Sequence, residues 1–108
     1  MARGFARVLR LARMDRAAAR LLLESQHSFP SDQRFHVIVR SAEGTADAVS
    51  AAIAAHCGLA VLGAREERVT SRAGNYTSLR LSLPCADADA VLDLYALFGG
   101  IPGIIRYF

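Results

Sequence analysis

The apolar residues of this chain switch repeatedly between a spacing of two and a spacing of three to four, and that order limits the possible folds. Alternation over residues 35–40 predicts a first strand with one buried face. Thr45–Cys57 carries an apolar stripe at helical spacing and is followed by Gly58, so it predicts a helix. Residues 60–70 are mostly polar, which is typical of a strand at the edge of a sheet. The helical residues predicted to share one face are Val49, Ala52, Ile53 and His56.

The second half of the chain repeats this order of patterns. Apolar and polar residues alternate over residues 78–83, which predicts a strand that ends at Pro84. Residues 86–100 predict a second helix that stops at two consecutive glycines, and residues 103–108 predict a short closing strand. The apolar residues predicted to be buried are Leu79, Leu81 and Leu83 in the strand and Val91, Leu94, Tyr95 and Phe98 in the helix.

The order strand, helix, strand, strand, helix, strand predicts a ferredoxin-like βαββαβ fold of the α+β class. Such a fold has a four-stranded antiparallel sheet with two helices on one face, while its other face is open. Two right-handed crossovers place the first and third strands in the centre and the second strand at an edge. We therefore predict a ferredoxin-like domain over residues 25–108, preceded by an arginine-rich N-terminal extension or helix over residues 1–24.

The size of the chain favours one soluble domain that pairs with a second copy. Its 108 residues are 53% hydrophobic, and no apolar run approaches the length of a membrane span. A chain of this size buries only about 60–65% of the surface of its unfolded state, so a partner surface adds useful burial. We expect a homodimer and no membrane association.

The net charge of +3 comes from the start of the chain. Arg3, Arg7, Arg10 and Arg13 precede Met14 without any acidic residue, and the remaining nine arginines face ten acidic residues. This segment has three interpretations: an organelle transit segment, the first turns of a helix that runs to residue 24, or sequence upstream of a start at Met14. In each case residues 1 to about 20 are expected to be dispensable for folding.

The two cysteines predict neither a metal site nor a catalytic pair. Cys57 and Cys85 do not belong to a CxxC motif, and buried reduced thiols are common at such positions. His56 precedes Cys57, but neighbouring residues on a helix point about 100° apart, so they do not form a nucleophile and its base. A reducing compartment follows, and we predict a cytoplasmic protein, with organelle targeting through residues 1–20 as the alternative.

The helices leave one face of the predicted sheet uncovered. Strand parity places Tyr76, Ser78 and Arg80 of the third strand on that face, with His36 and Arg40 of the first strand. Such a face suits recognition of a protein, a second copy or an anionic metabolite, or alternatively the stacking of single-stranded RNA. RNA stacking calls for aromatic residues on both central strands and a net basic body. The first strand offers an isoleucine instead, and the body is near neutral.

The polar run before Tyr76 has a structural explanation as well as a functional one. Gly74 and Asn75 both tolerate the positive φ angles of a two-residue hairpin turn. They can therefore connect the second and third strands without any ligand. Tyr76 is not explained in this way, because its predicted face is not covered by the helices.

Four segments of the chain resemble the YbeD-like family of small conserved proteins of uncharacterised function: FPSDQRFHVIV, AAHC, SRAGNYTS and LDLYALFGGIP. The resemblance covers residues 22–108, and its most specific part is the run Gly-Asn-Tyr-x-Ser at residues 74–78, with Ser71 three places before the glycine. It implies an ACT-like ferredoxin fold and a regulatory role in which small molecules bind between paired subunits. The chain departs from the family at Ala73, where the family has lysine, and the nearest positive charge is Arg72.

These patterns together predict a non-catalytic regulatory, ligand-sensing or protein-interaction module. It acts through its open sheet face and the hairpin of residues 71–78, and its alternative function is that of a single-stranded RNA-binding domain. No cofactor is predicted, and the expected partners are a second copy and an unknown protein or small anionic metabolite. The predicted binding residues are Ser71, Arg72, Gly74, Asn75, Tyr76, Ser78, Arg80, His36 and Arg40.

Overall fold

Three helices and four strands make up the part of the chain that this computed structural model describes, namely residues 11, 14–58 and 66–108. Within these residues, no helix combines the length and the hydropathy that crossing a membrane requires. Residues 60–65 of the predicted second strand, and the four arginines before Met14, lie outside the described residues. The elements are α1 (Arg16–Gln26), β1 (Ser31–Arg40), a 3-10 turn (Ser41–Glu43), α2 (Thr45–Cys57), β2 (Glu66–Thr70), β3 (Tyr76–Cys85), α3 (Ala88–Gly99) and β4 (Ile104–Tyr107).

The four strands form one antiparallel sheet in the order β2-β3-β1-β4. β1 and β3 pair along their full ten residues, from Ser31 opposite Cys85 to Arg40 opposite Tyr76. The first and third strands are therefore central and the second strand lies at an edge. This confirms the predicted ferredoxin-like arrangement of the α+β class.

Alternate residues of the two central strands point toward α2 and α3 and form the core. Phe35 packs edge-on against the rings of Tyr95 and Phe98, with ring centroids 5.5 and 5.8 Å away. Val49 and Ile53 of α2 are fully buried in the same cluster. The predicted parity of the strands and the predicted stripe of α3 are confirmed: Val37, Val39, Leu79, Leu81, Leu83, Val91, Leu94 and Phe98 are all at most 2% exposed.

β1 and β3 both extend beyond their predicted ends. β1 begins earlier than predicted, at Ser31, and β3 runs through Pro84 to Cys85, because Asp32 pairs with Pro84. The described pairing of β3 with β2 ends at Leu81, so the missing N–H of Pro84 interrupts no ladder bond on that side. The prediction that proline ends this strand was wrong.

α2 has its predicted bounds, and Gly58 ends it by donating its backbone N–H to the carbonyl of Ala54 over 2.8 Å. His56 is exposed, which corrects its predicted place on the buried face. Cys57 is the residue of the last turn that packs against the core. Its neighbour His56, about 100° around the helix, consequently points to solvent.

α1 is packed on the body of the protein. The Asp15 carboxylate accepts the N–H of Ala18 over 2.8 Å and caps the first turn. Ala19 and Leu23 are at most 2% exposed within the core cluster, and Leu11 also belongs to that cluster. The helix thus crosses the predicted boundary between residues 24 and 25.

Candidate functional site

The side of the sheet opposite α2 and α3, here called the open face, is built from every second residue of the strands. Directly opposed pairs across its centre are Arg40 with Tyr76, Ile38 with Ser78, and His36 with Arg80. β2 adds Glu67 opposite Arg80 and Val69 opposite Ser78, and β4 adds Arg106 opposite Ile38. Of the predicted binding residues, the structure brings His36, Arg40, Tyr76, Ser78 and Arg80 together on this face.

The hairpin that connects β2 and β3 is closed by Ser71. Its backbone N–H donates to the carbonyl of Tyr76 over 2.7 Å, and its hydroxyl accepts the N–H of Tyr76 over 3.1 Å. The N–H of Gly74 donates to the Ser71 carbonyl over 2.8 Å, and Gly74 has a φ of 81°, a conformation that favours glycine. The turn thus spans residues 71–75 instead of the predicted two residues, because Ser71 closes it with three hydrogen bonds.

The hairpin is also tied to the end of β1. The N–H of Ser41 donates to the carbonyl of Asn75 over 2.9 Å, and the hydroxyls of Ser41 and Thr77 lie 2.9 Å apart. Asn75 contributes only its backbone carbonyl, whereas Ser71 and Gly74 have architectural roles that account for their presence. These contacts separate them from the residues whose side chains remain available for a partner.

Tyr76 and Arg40 present their side chains to solvent at the hairpin end of the open face, and Arg72 is exposed in the hairpin itself. Tyr76 is 45% exposed. Arg40 and Arg72 are exposed, and their guanidinium groups form no hydrogen bond or ion pair with any residue that the structure describes. Arg80 lies 3.7 Å from a Glu67 oxygen, and both side chains are more than half exposed, so this pair contributes little stability.

His36 is packed in the middle of the open face. Its ring lies edge-on to that of Phe108, with centroids 5.1 Å apart, and its Nε2 atom is buried without a hydrogen-bond partner among the described residues. Burial and, to a lesser degree, the charge of Arg80 lower the pKa of His36. The imidazole is therefore neutral at neutral pH and adds no charge to this face.

Several residues of the open face were not predicted, among them Arg34, Arg106 and Phe108. Arg34 points to the same side as His36, and it was missed because β1 starts earlier than its apolar alternation indicates. The places of Arg106 and Phe108 follow from an irregularity in the pairing of β4 with β1 between Ile38 and Val39. A break in register leaves no sequence signal, whereas the place of Arg34 could have been found by extending the strand parity backwards.

The side of the sheet that carries the helices, here called the helical side, holds its arginines in ion pairs. Arg68 of β2 donates to Glu66 over 2.9 Å, to Asp47 over 2.7 Å and to the Ser50 hydroxyl over 2.9 Å, which joins the edge strand to α2. The remaining contacts join α1 to α3: Arg16 with Asp89 and Asp93, and Arg20 with Asp89.

A cavity and a cysteine thiol lie elsewhere among the described residues. A cavity of about 270 Å³ lies between α1, α3 and β4, far from the hairpin, and Tyr95, Tyr107 and Arg16 contribute to its wall. Cys57 is half-buried, and burial raises the pKa of its thiol, which disfavours the reactive thiolate. The described residues contain no group of three or more His, Cys, Asp or Glu side chains arranged to hold a metal ion.

Comparison with known proteins agrees with the fold. The family model of proteins of unknown function named DUF493 matches residues 24–107, from the end of α1 through β4. A search of curated proteins gave no match. The match covers most of the chain and confirms the YbeD-like resemblance, since YbeD-like proteins are part of the same group. The chain belongs to the DUF493 family.

Proposed function

We propose that this protein is a non-catalytic regulatory module that binds a partner through the hairpin end of its open face. The observation that carries this proposal is the group formed by Tyr76, Arg40 and Arg72, whose side chains are exposed although the backbone beneath them is fixed. Such side chains bind without first having to order a loop, so little affinity is lost on association.

The chemistry of the described residues supports binding in preference to catalysis. His56 is exposed at the end of α2, whereas the neighbouring Cys57 is half-buried with a raised thiol pKa. A cysteine nucleophile needs a lowered pKa and a base within hydrogen-bond reach. On the open face, His36 is packed against Phe108 and no nucleophile lies opposite it.

We further propose a cytoplasmic location and self-association. Both cysteines are free thiols, as is usual in a reducing compartment. β4 is an edge strand whose Ile105 is 47% exposed, and it offers a second copy an apolar contact away from the charged edge of β2. Native mass measurement tests self-association, which predicts a species of twice the mass of the chain.

Photo-crosslinking from defined positions tests the main proposal. A photoreactive residue placed at Ala73, which is exposed in the hairpin, is expected to give one or a few defined adducts in the cells that express the protein. The matched control is the same residue at Ala51, which is exposed on α2. Adducts that form equally from both positions, or that persist in full when Tyr76→Ala and Arg40→Gln are combined, would contradict the proposal.

A further inference from the structure

Charge is divided between the two sides of the sheet, although the chain without its first residues is near neutral. The open face and its hairpin carry Arg34, Arg40, Arg72, Arg80 and Arg106, against two acids, Asp32 and Glu67. Most of the acidic residues belong to the helices, their caps and the inner side of β2. The positive potential of the open face therefore attracts a negatively charged partner.

Tyr76 adds an aromatic surface to this basic face. It lies directly opposite Arg40 on the neighbouring strand, and its backbone N–H and carbonyl are both bonded to Ser71. A ring that is 45% exposed on a fixed backbone is a platform on which a flat group can stack. Arg40 and Arg72 have planar guanidinium groups that bind phosphate in a bidentate manner.

The composition and charge of the face argue against two other occupants. A second copy that docked face to face would bring five arginines against five, which is unfavourable. The apolar residues of the face beside Tyr76 are Ile38 and Val69, which both lie opposite Ser78, so a protein partner finds there only a small apolar patch flanked by arginines.

We propose that the hairpin end of the open face binds single-stranded RNA. Only one base stacks, on Tyr76, because β1 offers Ile38 and no second ring at this end of the face, and neighbouring phosphates are bound by Arg40, Arg72 and Arg80. Along β3, Tyr76 and Arg80 are four residues apart on the same face, which corresponds to about 13 Å of strand and suits an extended chain of a few nucleotides. Binding of this kind is tolerant of sequence. This inference rests on the proposed function and names the partner of that surface.

Fluorescence anisotropy with the full chain and a labelled oligouridylate of about twelve nucleotides tests the inference. We expect binding at about 50 mM salt that weakens at about 200 mM salt, and a duplex of the same length that competes poorly. Tyr76→Ala is expected to weaken binding about five- to one-hundred-fold, whereas Tyr76→Phe keeps the stacking ring and retains it. Arg40→Gln should reduce the slope of log affinity against log salt by about 0.7, the value of one phosphate contact on a single strand.

Arg20→Gln is the matched control, because it removes the same charge from the helical side. It should leave both the affinity and the salt slope unchanged. The inference is overturned if no binding occurs at the lower salt concentration, or if Tyr76→Ala and Arg40→Gln bind as tightly as the unchanged chain. If the oligonucleotide fails to bind while crosslinks from Ala73 still give one defined protein adduct, the inference fails and the proposed function stands. If neither the oligonucleotide nor a crosslinked partner is found, both fail.

Discussion

The arginines of the helical side and those of the open face differ in what they contact. Each described arginine of the helical side lies within 3.3 Å of at least one carboxylate oxygen, and these contacts join secondary-structure elements to one another. Three guanidinium groups of the open face and its hairpin contact no described carboxylate. The helical-side arginines are Arg16, Arg20 and Arg68, and the unpaired arginines are Arg34, Arg40 and Arg72.

This difference shows that net charge is a poor guide to how charge is distributed over a small domain. The formal charge of the body is near neutral because acidic and basic residues balance in number, yet they lie on different sides. The positive charge of an arginine in an ion pair is offset by the neighbouring carboxylate. The charge of an unpaired arginine is not offset and can attract a negatively charged partner. The two sides therefore respond differently to the same substitution, and the following predictions use that contrast.

The largest expected effect comes from two adjacent residues of β3 that point to opposite sides. Leu81→Asp is expected to unfold the domain, because Leu81 is 2% exposed and a carboxylate there has no partner, at a cost of about 4 kcal/mol or more. Arg80→Asp, on the open face, should leave the protein folded. Circular dichroism and thermal unfolding of the two variants check this, and a cooperatively folded Leu81→Asp protein would show that the two sides have been assigned incorrectly.

A smaller loss is expected on the helical side, from Leu23 of α1. Leu23→Ala should lower the free energy of unfolding by about 3 kcal/mol, since Leu23 is 1% exposed within the core cluster. Leu21→Ala, in the same helix at 67% exposure, is the matched control and should have little effect. Removal of residues 1–20 should also lower the free energy of unfolding, whereas the sequence alone predicted that these residues are dispensable for folding. Equal stabilities of the two leucine variants in urea would contradict the packing of α1.

The fold was predictable because its signals are local and repeated. The alternation of leucines in β3 and the stripe of α3 identify their buried sides without any tertiary information, and the βαββαβ order then limits the topology. α1 was harder to interpret, because the burial of Ala19 and Leu23 depends on a partner helix that lies far away in the sequence.

The candidate site was predictable only in part. Parity places Tyr76 and Arg40 on one face, and register then makes them neighbours. The sequence does not show that Ser71 is occupied in closing the turn, nor that Arg68 is neutralised by Asp47, because both contacts are set by side-chain geometry. Counting charges along the chain consequently hid the basic character of the open face.

Arginine-to-glutamine substitutions on the two sides are expected to change the free energy of unfolding by smaller amounts, and by different amounts on each side. Arg68→Gln should lower the free energy of unfolding by about 1 kcal/mol, because it leaves Glu66, whose side chain is 14% exposed, without its cation. Arg40→Gln should change stability by less than about 0.5 kcal/mol, since Arg40 has no described partner to lose. Urea unfolding of both variants provides the measurement, and a greater loss for Arg40→Gln would reverse the contrast between the sides.

The smallest expected effect is on the pH dependence of stability. It depends on the pKa of His36 and therefore on the positive charge near the centre of the open face. Burial and the nearby Arg80 lower the pKa of His36 in the folded protein below its usual value of 6.5, so the unfolded chain binds more protons than the folded chain as the pH falls through that value. The contribution of His36 to stability is therefore complete above pH 6.5 and decreases as the pH falls toward the lowered pKa. His36→Gln should flatten this part of the profile, as measured by urea unfolding between about pH 5 and about pH 7.5.

Arg80→Gln separates the two causes of that lowered pKa. Removal of the charge should leave the larger effect of burial in place and bring the pKa of His36 part of the way back toward 6.5, so the pH dependence becomes weaker without disappearing. Added salt should act in the same direction on the unchanged protein and have less effect on the variant, because it screens only the charge. An NMR titration of the His36 ring gives the pKa directly. A pKa that is insensitive to both Arg80 and salt would mean that burial alone holds His36 neutral, and that the positive field of the open face does not extend to its centre.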